Sequence, residues 1–472
     1  MNTQTNRAIV MGGSVAGLWT ARVLADHFDE VLILERDHLP EEPSQRAGVP
    51  QARQYHIMLL KGLEIMDKLF PGLRVELLQD GAILFDPLND MAVRSRNTWL
   101  PQFPSDSRQL SCSRMLLEAG LRRRLRTTEQ VRFVENVEVT GLETDAQNSR
   151  ITGVHIVHRQ DGKPSSDGGE TLAADLVVDA LGRRSPTPTW LTDLGYDAPE
   201  ESVVNSYLGY VTRRYRMPEK FQADWRMLLI GATPPDEPRG GLIFPEENGV
   251  WTVMLAGVNK DYPPTDEAGF NEFARSLGPE FFGAVQAAQP ITKAYGYRGT
   301  DSRRRHYEQL TRWPDRYVVL GDAFCGFNPI YGQGMTVAAM SAVALGEEIH
   351  AAQGDLDGVG QRCLSRFSQI TDGAWLLATS SDLEWPLTEG ERKDPTLADR
   401  FGSWYISQLI GAASFDNTLR LAFVDVTQLL KPATSLFAPG LMLRVFRHVW
   451  GPKRHVKGKK ITLDRLGQTV NA

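Results

Sequence analysis

The chain has 472 residues, and its 52 lysines and arginines against 58 aspartates and glutamates give a formal net charge of −6. This length predicts more than one domain, and the nearly balanced charge argues against a general attraction to nucleic acid. The three cysteines fit neither a metal-ligand spacing nor a disulfide framework. We therefore expect a cytoplasmic protein without a metal site, and no apolar stretch reaches the roughly 18 residues of a membrane span.

The first 35 residues have the pattern of a strand, a helix and a second strand. Residues 7–11 (RAIVM) and 31–35 (VLILE) are short apolar runs typical of buried parallel strands. An amphipathic helix is predicted between them, from Val15 to about His27. This order predicts a βαβ unit at the start of the chain.

The turn of this unit, VMGGSVAG, carries a dinucleotide-binding pattern. Gly12, Ser14 and Gly17 occupy the G-x-G-x-x-G positions, with serine in place of the middle glycine. The helix that follows offers free N–H groups to a pyrophosphate, and Glu35, 18 residues past Gly17, can accept from a ribose hydroxyl. An acidic group there disfavours NADP at this site. The residues predicted to bind the dinucleotide here are Gly12, Gly13, Ser14, Ala16, Gly17, Glu35 and Arg36.

Beyond residue 35, predicted helices and strands alternate up to Asp179, and aromatic-rich strands follow from about residue 186. The predicted elements are a long loop over 36–55, a helix near 56–69, strands within 81–103, a helix after Ser113, and strands near 131–140, 151–158 and up to Asp179. Aromatic-rich strands over 186–295, with a hairpin turn at 247–249, predict a second sheet. A strand at Tyr317–Leu320 and a helix from about Gln333 follow, and the remainder is predicted mostly helical.

Two later strand exits also carry chemistry. In DLVVDALGRRSPT (175–187) a strand ends at Asp179 and a turn follows at Gly182. In GDAFCGFNPIYGQGM (321–335) Asp322 can hold a ribityl hydroxyl, and Pro329 can fix the chain beside a ring face. The glycines of that second stretch bring N–H groups to a new helix start, which stabilises negative charge.

Taken in this order, GGSVAG…E, DALG and GDAFCGFNP resemble the single-component flavin monooxygenases typified by p-hydroxybenzoate hydroxylase. The resemblance implies FAD as cofactor and NAD(P)H as reductant. Position by position it implicates Gly12, Gly17, Glu35, Arg114, Asp179, Gly182, Gly321, Asp322 and Pro329, to which we add Val137, Gly332, Gly334 and Met335. Leu181 departs from that pattern, since the family usually has the aspartate of its "DG" motif there.

The predicted fold class is α/β: a glutathione-reductase-like, Rossmann-type FAD-binding domain with an inserted β-sheet substrate domain and a helical C-terminal region. The predicted boundaries are 1–75, 111–185 and 296–355 for the FAD-binding domain, 76–110 and 186–295 for the sheet domain, and 356–472 for the helical region.

A narrower resemblance concerns function. Five stretches are similar to the flavin epoxidases of polyether-ionophore pathways: RAGVPQARQYHIMLLKG, CSRMLLE, VVDALGRRSP, VVLGDAFCGFNPIYGQGM and DGAWLLATSSD. This implies insertion of one oxygen atom from O2, through a flavin 4a-hydroperoxide, into an alkene of a polyketide- or terpenoid-like metabolite. The alternatives are an aromatic hydroxylase of the same family, a reductase of the geranylgeranyl-reductase type, a flavin halogenase, and a flavin-binding protein without turnover. A separate flavin reductase is a further alternative as partner.

An epoxidase of this kind needs no nucleophile or metal from the protein. The catalytic candidates are His56 and Arg53, each with a purely structural alternative. The apolar substrate is expected between the second sheet and the flavin, and the predicted lining residues are Tyr210, Phe244, Trp251, Met254, Phe324 and Phe327, with closure by Trp375 and Leu376.

The C-terminal end is basic. From Val426 to Leu463 there are eight lysines and arginines and no acidic residue, and Leu441, Val445 and Val449 form one helical stripe. Such an end can make a peripheral membrane contact. The alternative, a terminal helix packed on the body with a frayed tail, is the interpretation we favour.

Overall fold

The computed structural model describes residues 6–96, 98–160, 162–165, 169–219, 221–392, 394 and 396–451. The strands are β1 (Arg7–Met11), β2 (Glu30–Glu35), β3 (Ile83–Phe85), β4 (Met91–Ser95), β5 (Thr98–Trp99), β6 (Gln109–Ser111), β7 (Val131–Glu135), β8 (Val137–Thr144), β9 (Ile151–Gln160), β10 (Lys163–Pro164), β11 (Glu170–Ala173), β12 (Leu176–Asp179), β13 (Glu201–Val204), β14 (Gly209–Arg216), β15 (Met227–Ile230), β16 (Arg239–Glu246), β17 (Val250–Gly257), β18 (Gln289–Pro290), β19 (Tyr295–Tyr297), β20 (Ser302–Arg305), β21 (Tyr317–Val319) and β22 (Cys325–Gly326).

The helices are α1 (Val15–Leu24), α2 (Leu60–Leu69), α3 (Leu73–Gln79), α4 (Arg114–Arg126), α5 (Thr187–Asp193), α6 (Glu267–Ser276), α7 (Pro279–Ala287), α8 (Gly334–Ala352), α9 (Val359–Leu383), α10 (Leu397–Ala413), α11 (Asn417–Thr427) and α12 (Pro439–Trp450). Short 3-10 turns lie at Pro50–Arg53, Gly182–Arg184, Glu247–Gly249, Tyr307–Gln309, Gly321–Ala323, Pro329–Tyr331 and Ala433–Phe437.

A five-stranded parallel sheet forms the first layer, with strand order β21-β12-β1-β2-β7. Its central strands are continuous apolar runs because both faces are covered, by helices such as α1 and by the antiparallel strands β8 and β9, and Ile9, Ile33 and Val178 are fully buried. The antiparallel strands β8, β9, β10 and β11 connect β7 to β12 in the chain. Since β1, β12 and β21 are neighbours, the turns that follow these three strands lie at one sheet edge.

A second, eight-stranded sheet has the order β18-β14-β17-β16-β15-β4-β5, and β19 also pairs with β14. Helices α6 and α7, which the sequence did not predict, cover one face of it. Their Phe270 and Phe281 pack with Ile243 and Val253 of the central strands. The other face belongs to a separate apolar cluster that includes Phe244 of β16. The hairpin turn at 247–249 forms where it was predicted, with Asn248 in the left-handed region at φ +62°.

The C-terminal helices α10, α11 and α12 share a small core of their own, to which the predicted stripe of α12 contributes. Val445 is fully buried there, and Leu441 and Val449 pack against the same cluster. The structure therefore agrees with a terminal helix packed on the body. The basic residues of the predicted membrane contact beyond 451 lie outside the described residues. Among the helices that are described, none is long and apolar enough to span a bilayer.

The α/β fold class predicted from the sequence is thus confirmed: a Rossmann-type parallel sheet with its helices, and a second sheet. The domain boundaries remain a prediction. Strands β4 and β5, from the predicted 76–110 segment, do join the sheet built mainly from 186–295. Strand β19 crosses the predicted boundary at 295, because it pairs with β14 of the second sheet.

Candidate cofactor and substrate site

The turn between β1 and α1 is shaped by glycines that no other residue can replace without strain. Gly12 has φ +107°, and a Cβ on Gly17 would lie 1.8 Å from the carbonyl oxygen of Gly12. The Gly13 N–H donates to Glu35 Oε2 over 2.9 Å, so the turn touches the acidic end of β2. The hydroxyl of Ser14 makes no cap hydrogen bond to the first turn of α1. That helix N-terminus therefore keeps its free N–H groups.

A buried network of opposite charges lies beside this turn. Arg46 Nη1 is 3.2 Å from Glu35 Oε2, and Arg46 Nη2 is 2.9 Å from Glu118 Oε2. Arg114 Nε donates to Glu118 Oε1 over 2.8 Å, and Ser14 Oγ donates to the same oxygen over 2.7 Å. Burial alone would raise the pKa of Glu118, but Arg114 and Arg46 beside it lower that pKa to about 2. Glu118 is therefore an anion throughout the physiological range.

The turn after β21 meets the first turn. Gly321, at φ +65°, is so close to Ala16 that a Cβ on it would lie 3.0 Å from the Ala16 Cβ. Asp322 follows, with a side chain 44% exposed and its carboxylate 3.9 Å from Arg183 Nε. Helix α8 then begins at Gly334, again without a side-chain cap. A Cβ on Gly334 would lie 3.5 Å from Asp322 Oδ1, so acid and helix start are adjacent.

Arg114 links the two turns to each other. Its Nη2 donates to Ser14 Oγ over 3.0 Å, and its Nη1 is 2.9 Å from the Met335 sulfur in the first turn of α8. The helix that carries Arg114 begins at Ser113, whose hydroxyl accepts from the Leu116 N–H as predicted for a helix start. The structure thus brings together the first turn, Arg114 and the 321–335 stretch.

Other predicted cofactor residues lie at the same sheet edge but contribute less. Arg36 is exposed, and Pro329 and Gly332 form the 3-10 turn before α8, with Gly332 at φ +67°. Gly182 lies in the turn after β12 at φ +79°. The Val137 side chain is 2% exposed and packs in the core, so only its backbone is available to a ligand.

Asp179 requires a correction. Its carboxylate is fully buried and accepts hydrogen bonds from the Leu181 N–H over 2.8 Å, from the Thr187 hydroxyl over 2.6 Å, and from Ser185 Oγ. Burial raises the pKa of Asp179. All three of these hydrogen bonds come from its own loop. The predicted cofactor contact by this side chain is therefore wrong, and the residue instead orders the 181–187 turn.

His56 lines an internal cavity together with Arg114, Met335 and apolar side chains such as Leu110. Its Nδ1 is 3.1 Å from the Gln54 carbonyl oxygen, so the neutral ring donates there and its Nε2 keeps a lone pair. Removal from water, aided by the positive charge of Arg114, lowers the pKa of His56 to about 3. Arg53 instead lies over the Tyr295 ring at 4.7 Å, a contact with the second sheet.

The predicted substrate-lining residues divide between the two faces of the second sheet. Tyr210, Phe244 and Met254 belong to the apolar cluster on the face opposite α6 and α7. Tyr55, beside His56, packs on the Phe244 ring with centroids 4.0 Å apart. Trp251 lies on the other face, stacked on Trp225 at 6.0 Å. The prediction for Trp251 is wrong, because alternation along β17 points it toward the helix-covered core.

The remaining aromatic predictions also need correction. Phe324 and Phe327 both pack in the core of the first sheet and not in the cluster around Phe244. Phe324 packs between Tyr307 and Phe367, with centroid distances of 6.2 and 6.1 Å. In α9, Leu376 is 60% exposed, so it closes no cavity. The C-terminal residue that joins the Phe244 cluster is Trp385, which the sequence did not single out.

The comparisons with known proteins agree with this geometry. The model of the FAD binding domain family matches residues 5–361, which is more than half of the chain. The chain belongs to the FAD-binding domain family. Across its whole length it is similar to Protein Rv3254 of Mycobacterium tuberculosis, with 30% identity over 98% of each chain. It is 24% identical to kynurenine 3-monooxygenase of Salinispora tropica, over 74% of this chain and 73% of that enzyme.

Among solved structures, the fold is similar to that of the flavin-dependent brominase Bmp2, with a TM-score of 0.65 and 13% sequence identity. The superposition covers 94% of this chain and 97% of the brominase. At this identity the likeness shows the fold alone. The family and its relatives make the protein an FAD-dependent oxidoreductase of the monooxygenase and hydroxylase type. NAD(P)H is the typical reductant of such enzymes.

Three structural observations show that the residues present at this site fit FAD. The uncapped start of α1 suits a pyrophosphate. A Cβ on Gly13 would approach the Glu35 Cβ to 3.1 Å, so glycine leaves the room beside the acid that a ribose needs. At the start of α8, the buried Gln333 Oε1 has no hydrogen-bond partner within the part of the chain that the structure describes. It offers an unused acceptor one residue before Gly334. Asp322, which is adjacent to Gly334, would hold the ribityl chain.

Sequence reasoning missed Arg46 and Glu118, the centre of the charged network. Arg46 lies within the RAGVPQARQYH stretch that carries the narrower resemblance, and this was its one available signal. Glu118 follows Arg114 by four residues, a helical spacing that places the two side chains on one face.

Proposed function

We propose that the protein is an FAD-dependent monooxygenase that epoxidises an alkene in a polyketide- or terpenoid-like metabolite. One oxygen atom of O2 enters the alkene and the other leaves as water, while NAD(P)H and a proton supply two electrons and two hydrogens. Bound FAD supplies the redox chemistry between NAD(P)H and O2. The residues of the chain bind the cofactor, orient the substrate and keep water away.

The observation that carries the proposal is the apolar character of the second-sheet face beside His56. Tyr55, Phe244 and Met254 are joined there by Trp385, so a substrate against this wall meets rings and aliphatic groups. Such a wall suits an apolar alkene better than a charged aromatic acid. The epoxidase-like stretches of the sequence support the same substrate class.

Aromatic hydroxylation is the nearest alternative, and the state of His56 argues against it. Activation of a phenol is helped by a base whose pKa is close to the working pH. Desolvation holds the pKa of His56 at about 3, so its neutral ring is a weak base. The weak basicity of His56 therefore favours a reaction in which no proton is removed from the substrate.

The test is turnover under 18O2 with purified, FAD-loaded protein. Apolar polyene and phenol substrates are offered in parallel with NADH or NADPH, and products are analysed by mass spectrometry. We expect one 18O atom in an epoxide of the polyene. Label found only in a hydroxylated phenol would replace the proposal with the hydroxylase. A product that gains two hydrogens without O2 consumption would replace it with the reductase.

The same assay decides how electrons reach the enzyme. Photoreduced FAD, added in place of NAD(P)H, bypasses any need for a partner. Epoxide formed with photoreduced FAD but with neither nicotinamide would show that a separate flavin reductase is required.

A further inference from the structure

Asp382, in the last turn of α9, is a buried carboxylate whose hydrogen-bond partners among the described residues are neutral. It is 2% exposed, and no lysine or arginine of the described residues lies within ion-pair distance of it. Burial raises its pKa, against hydrogen bonds that lower it. A buried carboxylate costs several kcal/mol unless its oxygens are hydrogen-bonded. The neutral hydrogen-bond donors around Asp382 therefore indicate its structural role.

Three polar side chains converge on this carboxylate. Asn328 Nδ2 is 3.1 Å from both oxygens, and Tyr331 Oη donates to Oδ1 over 2.9 Å. Ser206 Oγ donates to Oδ1 over 3.0 Å. Ser206 precedes β14 of the second sheet, whereas Asn328 and Tyr331 belong to the turn that leads into α8. One carboxylate thus joins the C-terminal region, the second sheet and the cofactor turn.

Asn328 passes this contact on to the backbone of the turn. Its side-chain Oδ1 accepts from the Ile330 N–H over 3.2 Å, and its backbone N–H donates to Ser302 Oγ over 3.0 Å. It is 1% exposed. Since Nδ2 faces Asp382 and Oδ1 faces Ile330, the amide has one orientation only. The 3-10 turn Pro329–Tyr331 is then fixed between Asn328 and the Tyr331 hydroxyl.

We propose that Asp382 is a positioning residue for FAD, acting through Asn328 and Tyr331 on the turn that precedes Gly334 and the start of α8. The proposal rests on FAD binding at the β1–α1 turn and the 321–335 stretch, and it is independent of which substrate is oxidised. Asp382 lies beyond residue 361, where the match to the FAD binding domain ends. The C-terminal region therefore does more than cover the core: it sets the geometry of the cofactor site.

A carboxylate is suited to this task because it accepts from all three donors at once. An asparagine in its place has a single oxygen, and its amide hydrogens would face the amide hydrogens of Asn328. Loss of the Tyr331 hydroxyl alone removes one donor and leaves the charge under-solvated. Both changes loosen the turn without touching the FAD-contacting residues themselves.

The experiment compares Asp382→Asn with the matched variant Asp372→Asn. Asp372 lies on the same helix, but its side chain is 61% exposed. Its partner Arg304 is buried and also donates to Ser368 Oγ over 2.7 Å and lies 3.4 Å from Glu308 Oε1. FAD affinity is measured by flavin fluorescence on the deflavinated protein. We expect the Kd of Asp382→Asn to rise about tenfold or more, the equivalent of losing one buried hydrogen-bonded contact. Asp372→Asn should stay within about twofold, since Arg304 keeps Glu308 and Ser368 as partners and Asp372 itself is exposed.

Two further readouts separate positioning from simple loss of stability. We expect the visible spectrum of FAD bound to Asp382→Asn to shift. At saturating FAD, we also expect a larger fraction of the NAD(P)H oxidised to yield H2O2 in place of oxygenated product. Tyr331→Phe, which keeps the ring and removes the hydroxyl, should shift both in the same direction by a smaller amount. If Asp382→Asn fails to fold, Tyr331→Phe decides alone. Wild-type Kd, spectrum and coupling in whichever variant folds would overturn the proposal.

Discussion

At the scale of single residues, His56 makes a prediction about pH. Its folded-state pKa of about 3 lies below the ordinary 6.5, because the ring is removed from water. The unfolded chain binds a proton as the pH falls through about 6.5, whereas the folded chain does not until about pH 3. Stability is therefore lost as the pH falls, by roughly 3 kcal/mol from this residue between pH 7 and pH 4.

The variant His56→Gln removes that loss. Urea unfolding of both proteins at several pH values should show the free energy of unfolding of the wild type, minus that of the variant, falling by this amount between pH 7 and pH 4. Parallel curves would mean that the ring is solvated and titrates normally. In the same variant the pH profile of turnover should keep its shape, because a ring that stays neutral above pH 5 contributes no limb to it.

Single residues also show where sequence reasoning ends. The positions Gly12, Gly17 and Glu35 could be predicted, because strand, turn and helix follow each other in the chain. Arg46 could not be placed between Glu35 and Glu118, since its partners come from distant segments. Asp179 was predicted wrongly for a related reason. An acid at a strand end can face a ligand or its own loop, and Ser185 and Thr187 decide for the loop.

At the scale of elements, the hairpin β16–β17 could be predicted but the direction of its faces could not. Alternation shows that Phe244 and Trp251 occupy defined faces; which face meets the cofactor depends on α6 and α7, whose packing no local pattern reveals. We expect Phe244→Ala to alter the ratio of kcat/KM between short and branched alkenes. Trp251→Ala should leave that ratio unchanged and lower the free energy of unfolding by about 3–5 kcal/mol.

These two variants are controls for each other, because both remove a buried ring from the same sheet. The measurements are competitive turnover with a pair of alkenes and urea unfolding of each protein. An unchanged substrate ratio in Phe244→Ala, or a changed one in Trp251→Ala, would show that the substrate does not lie against the Phe244 face.

At the scale of the whole molecule, the cofactor site draws on parts of the chain that lie far apart in sequence. Glu35 ends β2, Arg114 begins α4, and Asp322 follows β21, so a ligand that touches all three connects them. Binding to the folded state alone raises stability by about 2.7 kcal/mol at a ligand concentration of 100 Kd. We therefore expect FAD to raise the unfolding temperature of the deflavinated protein in proportion to the logarithm of its concentration.

Riboflavin is the informative comparison, because it carries the ring and ribityl chain without the pyrophosphate and adenosine. It can engage the Asp322 turn but leaves the start of α1 and Glu35 without a ligand. At equal concentration it should stabilise the protein much less than FAD does. Glu35→Gln should reduce the effect of FAD and leave that of riboflavin unchanged. Equal stabilisation by the two ligands would place no binding energy at the β1–α1 turn, and the cleft assigned here to the adenosine half would then be wrong.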